Sequence, residues 1–118
     1  PPQARSKAWL AIRAMSEPYT AADEKLLYVL NERIRPDYCR MCYECSGKCP
    51  QGLPVTDMLR YLAYHDFCGN YHQARMQFAL LPPDIRSVRC GDCARCVIEC
   101  PSGVHVRDRL VRAQELLA

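Results

Sequence analysis

Apolar residues recur at helical intervals along this chain of 118 residues, and no stretch alternates between apolar and polar positions as a strand does. An apolar group at residues 9–12 predicts a short helix that stops before Pro18. Thr20 is suited to cap a second helix, which ends before Pro36. The apolar face of that second helix comprises Leu26, Leu27, Leu30 and Ile34.

Three further helices and one additional turn are predicted beyond residue 50. Gly52 and Pro54 turn the chain into a helix that ends at Gly69, and Asn70 caps the next one. Ile85 starts one more turn, and the last helix runs to the C-terminus. The predicted apolar faces are Val55, Met58, Leu59 and Leu62; Tyr71, Ala74, Phe78 and Leu81; and Val106, Leu110, Ala113 and Leu117. The pattern therefore predicts an all-α fold.

The chain also contains an internal repeat at a spacing of 51 residues. Residues 39–50 read CRMCYECSGKCP and residues 90–101 read CGDCARCVIECP, so both follow the pattern C-x-x-C-x-x-C-x-x-x-C-P. The equivalence continues in the pairs Gly52 and Gly103, Val55 and Val106, Asp57 and Asp108, and Leu59 and Leu110. Each half is thus a cysteine-rich loop that leads into an amphipathic helix, and the two halves are expected to be related by a pseudo-twofold axis.

The repeated cysteine run resembles the cluster-binding run of bacterial ferredoxins. In two-cluster ferredoxins the fourth cysteine of each run ligates the other cluster. The resemblance therefore implies two 4Fe-4S clusters with crossed ligation. The implied ligands are Cys39, Cys42, Cys45 and Cys100 for the first cluster, and Cys90, Cys93, Cys96 and Cys49 for the second.

The spacing of the two runs favours a helical ferredoxin over the compact α/β type, because residues 50–89 carry two predicted helices between them. The chain resembles the α-helical ferredoxins, a group that includes iron-sulfur domains of fumarate and succinate oxidoreductases, of heterodisulfide reductases and of dihydropyrimidine dehydrogenase. Three stretches resemble the C-terminal ferredoxin domain of aldo/keto-reductase-like oxidoreductases. They are RAMSEPYTAADEKLL, IRPDYCRMCYECSGKCPQGLPVTDMLRYL and VRCGDCARCVIECPSGVHVRDRL.

That resemblance implies the domain organisation. Residues 1–35 are expected to form an N-terminal helical segment, the tail of a preceding domain, and residues 36–118 the two-cluster ferredoxin domain. In such proteins an NADPH-binding barrel comes first, but this sequence contains no G-x-G-x-x-G loop and no assembled catalytic set. The expected function is electron transfer as a domain or subunit of a larger redox enzyme, with no catalytic residue of its own. Its partner would be a redox protein or a covalently linked oxidoreductase domain.

Composition limits the alternatives. Nine cysteines is an odd number, and no secretory leader is expected, so metal-bound cysteines in a reducing compartment, the cytoplasm, are favoured over disulfides. The formal net charge of +3 is no evidence for a nucleic-acid partner, because it counts the cysteines as neutral. Lys and Arg are also scattered along the sequence instead of forming a stripe, so no nucleic-acid partner is expected. No apolar run is long enough for a membrane span.

Zinc is the principal alternative metal, because it also binds four thiolates with C-x-x-C spacing. The chain would then be a structural interaction module, with zinc or redox-inert clusters holding its helices for a partner. Cys68 lies outside both runs and is expected to pack in the core, as free cysteines usually do. The three histidines are not expected to be ligands, because eight cysteines already suffice for two clusters. They are His65, His72 and His105.

Residues next to the two runs are expected to modify the clusters. Apolar and aromatic neighbours would shield them from water, namely Tyr38, Tyr43, Val88, Val97 and Ile98. Four cationic neighbours would raise the reduction potential, steer an acidic partner or serve as ordinary solvated charges, namely Arg40, Lys48, Arg89 and Arg95.

Overall fold

The computed structural model describes residues 7–118, so the first six residues of the predicted N-terminal segment lie outside it. Helices make up 58% of the described residues, which contain no strand, and the predicted all-α class is confirmed. The α-helices are α1 (Lys7–Ser16), α2 (Ala21–Ile34), α3 (Val55–Asp66), α4 (Tyr71–Ala79), α5 (Pro83–Ser87) and α6 (Val106–Leu117), with a 3-10 turn at Cys90–Asp92. Across residues 7–118, no helix has both the length and the apolar character needed to cross a bilayer.

The described part of the chain divides into two compact units, the first ending at Arg33 and the second spanning residues 34–118. The first unit contains α1, which ends two residues before Pro18, and most of α2. A reciprocal cap starts α2, because the Thr20 N–H donates to Asp23 Oδ2 at 2.9 Å and the Asp23 N–H donates to Thr20 Oγ1 at 3.3 Å. Both predicted helices are therefore present. Neither contains a buried residue.

The second unit has a hydrophobic core in which α3 packs against both α4 and α6. The predicted apolar faces of α3 and α6 are confirmed, since all four residues named for each are buried. In α4 only Ala74 and Phe78 are buried. Tyr71, the first residue of the helix, is 58% exposed, contrary to the predicted pattern, and its ring contacts that of His65 with centroids 4.7 Å apart.

The two 12-residue helices α3 and α6 begin and end at positions that are 51 residues apart in the chain. A glycine with positive φ precedes each of them, Gly52 with φ of 75° and Gly103 with φ of 84°. The Gly52 N–H donates to Cys49 O at 3.0 Å, and the Gly103 N–H donates to Cys100 O at 3.1 Å. Because glycine adopts positive φ without steric penalty, both cysteine runs end in the same kind of turn. That turn places the fourth cysteine of each run close to the start of a core helix.

Candidate functional site

Four cysteines line a cavity of about 20 Å³ that we call the first thiol site. Three of them, Cys39, Cys42 and Cys45, come from the first run, and Cys100 comes from the second. Helix α3 and the segment that leads into α6 provide most of the remaining lining. The complete remaining lining, including two residues of the first cysteine loop, is Arg40, Tyr43, Thr56, Leu59, Pro101, Ser102, Val104 and Val106.

A second set of four cysteines lines a cavity of about 40 Å³, which we call the second thiol site. Here Cys90, Cys93 and Cys96 come from the second run, and Cys49 comes from the first. The other lining residues are mostly apolar, with two arginines among them. They are Pro50, Gln51, Leu53, Val88, Arg95, Val97, Ile98, Arg107 and Leu110.

The two runs therefore exchange their last cysteines, and all eight cysteines of the repeat lie in one thiol site or the other. The packing of α3 against α6 accounts for the exchange, because each fourth cysteine sits at the turn into one of these helices. Within residues 7–118, no three His, Cys, Asp or Glu side chains converge as ligands of a single metal ion. A four-iron cluster does not need such convergence, since each of its irons takes a separate thiolate.

The first cysteine loop contains two non-glycine residues in the left-handed region, Met41 with φ of 59° and Tyr43 with φ of 61°. Such residues are uncommon, and each typically costs about 1–3 kcal/mol unless the surroundings impose the conformation. Met41 also donates its N–H to Cys39 Sγ at 3.4 Å. The two left-handed residues thus turn the chain between successive cysteines so that three thiols from one short loop reach the same cavity.

Arg107, the second residue of α6, ties the second cysteine loop to that helix. Its Nη2 donates to Cys93 O at 2.8 Å and to Gly91 O at 3.2 Å, and its Nε donates to Cys90 O at 3.4 Å. A guanidinium has five N–H donors in a rigid fork, which suits it to hold several carbonyls of one loop. The role of Arg107 was not predicted from the sequence. The sequence feature that could have identified Arg107 is its position directly after Val106, at the start of the last helix and close to the second cysteine run.

Gln114 is a second polar residue of α6 that holds this loop. Its Oε1 accepts a hydrogen bond from the Cys90 N–H at 3.0 Å, and its Nε2 donates to Val88 O at 2.9 Å. The side chain is buried, and these two bonds satisfy both ends of its amide. The sequence feature that could have identified Gln114 is its place on the apolar face of the last helix, four residues after Leu110 and three before Leu117.

Thr56, the second residue of α3, is the corresponding residue at the first thiol site. It is 4% exposed, and its Oγ1 lies 3.2 Å from Cys45 Sγ. Thr56 and Arg107 are 51 residues apart, so the repeat itself placed both at equivalent positions beside a cysteine loop. That equivalence was the signal for Thr56, although the two residue types differ.

One thiol in each site, Cys39 in the first and Cys90 in the second, has a raised pKa. Burial, together with the neighbouring thiolates of Cys49, Cys93 and Cys96, raises the pKa of Cys90 to about 11, and a hydrogen bond from Gln114 partly opposes this rise. Burial also raises the pKa of Cys39, where the Met41 N–H opposes the effect. Thiolates are the metal-binding form, so a bound cationic centre would offset both the desolvation and the mutual repulsion.

The predicted shielding residues differ in their placement. Val88 and Ile98 both line the second thiol site, and Ile98 is only 8% exposed. Val97 and Tyr43 also line the sites, but they are 61% and 50% exposed, so they form the outer edge instead of a cover. Tyr38 is not among the lining residues of either site. Shielding at the second site therefore comes mainly from side chains that belong to the core.

Two of the four predicted cationic neighbours line a site, Arg40 the first and Arg95 the second. Lys48 and Arg89 do not, and Arg89 donates instead to the backbone oxygen of Val88 at 3.2 Å.

The three histidines lie outside the lining of both thiol sites. His65 and His72 line a separate open groove together with Tyr71 and Arg75. His105 precedes the first residue of α6.

Cys68 is exposed, so the prediction that it packs in the core is wrong. Helix α3 ends at Asp66, and Cys68 consequently falls in the turn before α4, beside Gly69 with its positive φ of 63°. A residue in such a surface turn has no core to pack against. Cys68 also lies outside both thiol sites.

Comparisons of this chain with family models, with curated proteins and with solved structures found no match. The chemistry and geometry of the two thiol sites are therefore what bears on function.

Proposed function

We propose that this chain is an electron-transfer module that holds two 4Fe-4S clusters, one in each thiol site. The observation that carries the proposal is the crossed grouping of eight thiols into two sets of four, each lining its own cavity. Four thiolates are the ligand number of a 4Fe-4S cluster. Cys39, Cys42, Cys45 and Cys100 would hold one cluster, and Cys90, Cys93, Cys96 and Cys49 the other.

The residues around both cavities fit such a group. Neither lining contains a histidine or a carboxylate, and cysteine sulfur is the only soft ligand atom in either of them. Soft thiolates select iron-sulfur clusters or zinc, and the run of three cysteines at two-residue intervals favours the clusters. When bound, such clusters take up and release one electron at a time.

The chain's own residues orient the ligands and exclude water. Arg107 and Gln114 hold the second cysteine loop on α6 through its backbone. Leu53 and Leu110, both nearly fully buried, line the second thiol site. Solvent exclusion and hydrogen bonding around the sulfurs are the means by which a protein sets a cluster's reduction potential.

The fold that this proposal implies is an α-helical ferredoxin with two halves related by a pseudo-twofold axis. The equivalent lengths and entry turns of α3 and α6 support it, as does the 51-residue spacing of the cysteine runs. The module would act within a larger redox enzyme, of which an aldo/keto-reductase-like oxidoreductase is the first candidate. A reducing compartment such as the cytoplasm would keep its thiols available for the clusters.

Anaerobic reconstitution with iron and sulfide tests the proposal. The chain should take up about eight iron and about eight sulfide, since two cubanes contribute four of each. It should also show the electron spin signal of reduced clusters after treatment with dithionite. A matched control with Cys42→Ala and Cys93→Ala, which removes one thiol from each site, should retain much less iron. A chain that binds two zinc ions and no sulfide would instead be the structural interaction module.

A further inference from the structure

Thr56 places a buried hydroxyl against a ligand sulfur of the first thiol site. Its side chain lies on the first turn of α3 and lines the same cavity as Cys45, with Oγ1 and Sγ 3.2 Å apart. Buried hydroxyls nearly always have a hydrogen-bond partner, and at 4% exposure Thr56 has little access to water. Cys45 Sγ is therefore the hydrogen-bond partner of the Thr56 hydroxyl.

The direction of this hydrogen bond follows from the chemistry of the sulfur. In a free thiol either atom is able to donate. A thiolate that ligates iron has no hydrogen, so the Thr56 hydroxyl must then be the donor. Hydrogen bonds to charged acceptors are stronger than neutral ones, and their strength grows with the negative charge on the acceptor.

On the basis of the proposed function, we propose that Thr56 raises the reduction potential of the cluster in the first thiol site by donating its hydroxyl hydrogen to Cys45 Sγ. A one-electron reductant such as dithionite would add one electron to a bound cluster, and the hydroxyl proton would stay on the threonine oxygen. The donor therefore stabilises the reduced state more than the oxidised state. Thr56 acts through a ligand and is a positioning residue, not a catalytic one.

The equivalent residue of the other half does not make this contact. Arg107 directs its guanidinium to the backbone oxygens of Cys90, Gly91 and Cys93. An effect that depends on the Thr56 hydroxyl should therefore be confined to one cluster of the two. The second cluster serves as an internal control within the same molecule.

Three variants at position 56 separate the effect of the hydroxyl from the effect of side-chain volume. Thr56→Val keeps the shape of the side chain and removes the hydroxyl, Thr56→Ala removes both, and Thr56→Ser keeps the hydroxyl. Each reconstituted chain is reduced at a series of controlled potentials while the electron spin signals are followed. Repeating the series in a Cys93→Ala background, which leaves all four thiols of the first site, assigns the signals.

In the valine and alanine variants, the equilibrium constant for reduction of the first cluster should fall about tenfold, which corresponds to 59 mV for one electron. The second cluster should be unchanged, and the serine variant should match the original chain. Unchanged potentials in valine and alanine chains that contain about eight iron would overturn this proposal and leave the proposed function standing.

The remaining outcomes also count against the role of Thr56. An equal shift in the serine variant, or equal shifts of both clusters, would mean that packing and not the hydroxyl is responsible. Loss of the first cluster from both hydroxyl-free variants would make Thr56 an assembly residue and reject the tuning role. If the original chain itself binds no iron and sulfide, the proposed function fails and this inference fails with it.

Discussion

At the scale of single residues, Asp66 at the end of α3 has three basic side chains around its carboxylate. Its carboxylate lies 2.7 Å from Arg109 Nη2, 2.9 Å from Arg112 Nη2 and 2.9 Å from His65 Nδ1. Burial alone would raise the pKa of Asp66, but hydrogen bonds from Arg112, His65 and Arg109 together hold it well below its usual range. Arg109 is itself buried, so the pair ties the end of α3 to α6 away from water.

Asp66→Asn should destabilise the fold by about 3 kcal/mol, because it leaves the Arg109 charge buried without a counter-charge. Because the pKa of Asp66 is lower in the folded chain than in the unfolded chain, its carboxylate stabilises the fold fully at pH values well above its ordinary pKa of 3.8. This stabilisation is lost as the pH falls below 3.8. Urea unfolding at pH 7 and at pH 2.5, followed by circular dichroism, should therefore show a larger difference between the two chains at pH 7.

Asp57→Asn is the matched control, because the Asp57–Arg60 pair at 3.2 Å is between a third and two-fifths exposed. Ion pairs of that exposure contribute less than about 1 kcal/mol. Equal losses of stability in the two variants would contradict the role assigned to the Asp66 cluster.

Cys68→Ser should leave the iron content of the reconstituted chain unchanged. The thiol is exposed and lies outside both thiol sites, so the change in unfolding free energy should stay within about 0.5 kcal/mol. Iron analysis and urea unfolding measure both quantities. Loss of a cluster from this variant would show that the ligand assignment is wrong.

At the scale of elements, the cysteine loops are joined to helices that pack on each other, and this makes the two sites interdependent. Cys49 ends the first run but lines the site of the second, and Cys100 does the reverse. Each loop thus contributes to the site built mainly by the other. The second loop is further held by α6, through Arg107 and Gln114.

Cys49→Ala should perturb the cluster of Cys90, Cys93 and Cys96, and Cys100→Ala should perturb the cluster built mainly by the first run. Each variant should retain about four of eight iron, because one ligand set stays complete. The electron spin signals that remain should differ between the two variants, since a different cluster survives in each. If each substitution instead damaged the cluster of its own run, the crossed arrangement would be refuted.

At the scale of the whole molecule, we expect the proposed module to transfer single electrons and to leave hydride chemistry to another domain or protein. Hydride transfer requires a nicotinamide or flavin cofactor, and the sequence has no phosphate-binding glycine loop for either. Two clusters in one compact unit would form a relay between a donor and an acceptor. Such a relay depends on a separate domain or protein for its electrons.

The cluster-loaded chain should accept electrons from dithionite and pass them to cytochrome c, yet it should not oxidise NADPH. Absorbance of reduced cytochrome c and of NADPH measures the two activities. Addition of a flavin-dependent reductase should restore NADPH oxidation, and the reductase without this chain is the control. Steady consumption of NADPH by the purified chain alone would identify an enzyme and reject the relay.

Much of this structure follows from sequence, because local preferences decide where helices begin and end. Thr20 with Asp23, Asn70, and the prolines at 18 and 82 act within a few residues of the helix ends that they specify. The core faces of α3 and α6 were likewise predictable, since apolar residues at helical spacing must be buried together. The cysteine runs predicted the ligand types and, through their resemblance to ferredoxins, the crossed sets. That these sets bind clusters stays a prediction.

The tertiary structure alone decided which polar side chains serve the thiol sites. The roles of Thr56, Arg107 and Gln114 depend on which loop lies opposite each helix, and their places in the helical pattern do not by themselves assign those roles. Cys68 is the reverse case, because residue type suggested burial and the end of α3 at Asp66 left it exposed. Helix periodicity is a local property that the sequence carries directly. Contacts between residues far apart in the chain depend on how the helices pack, and local pattern does not encode that.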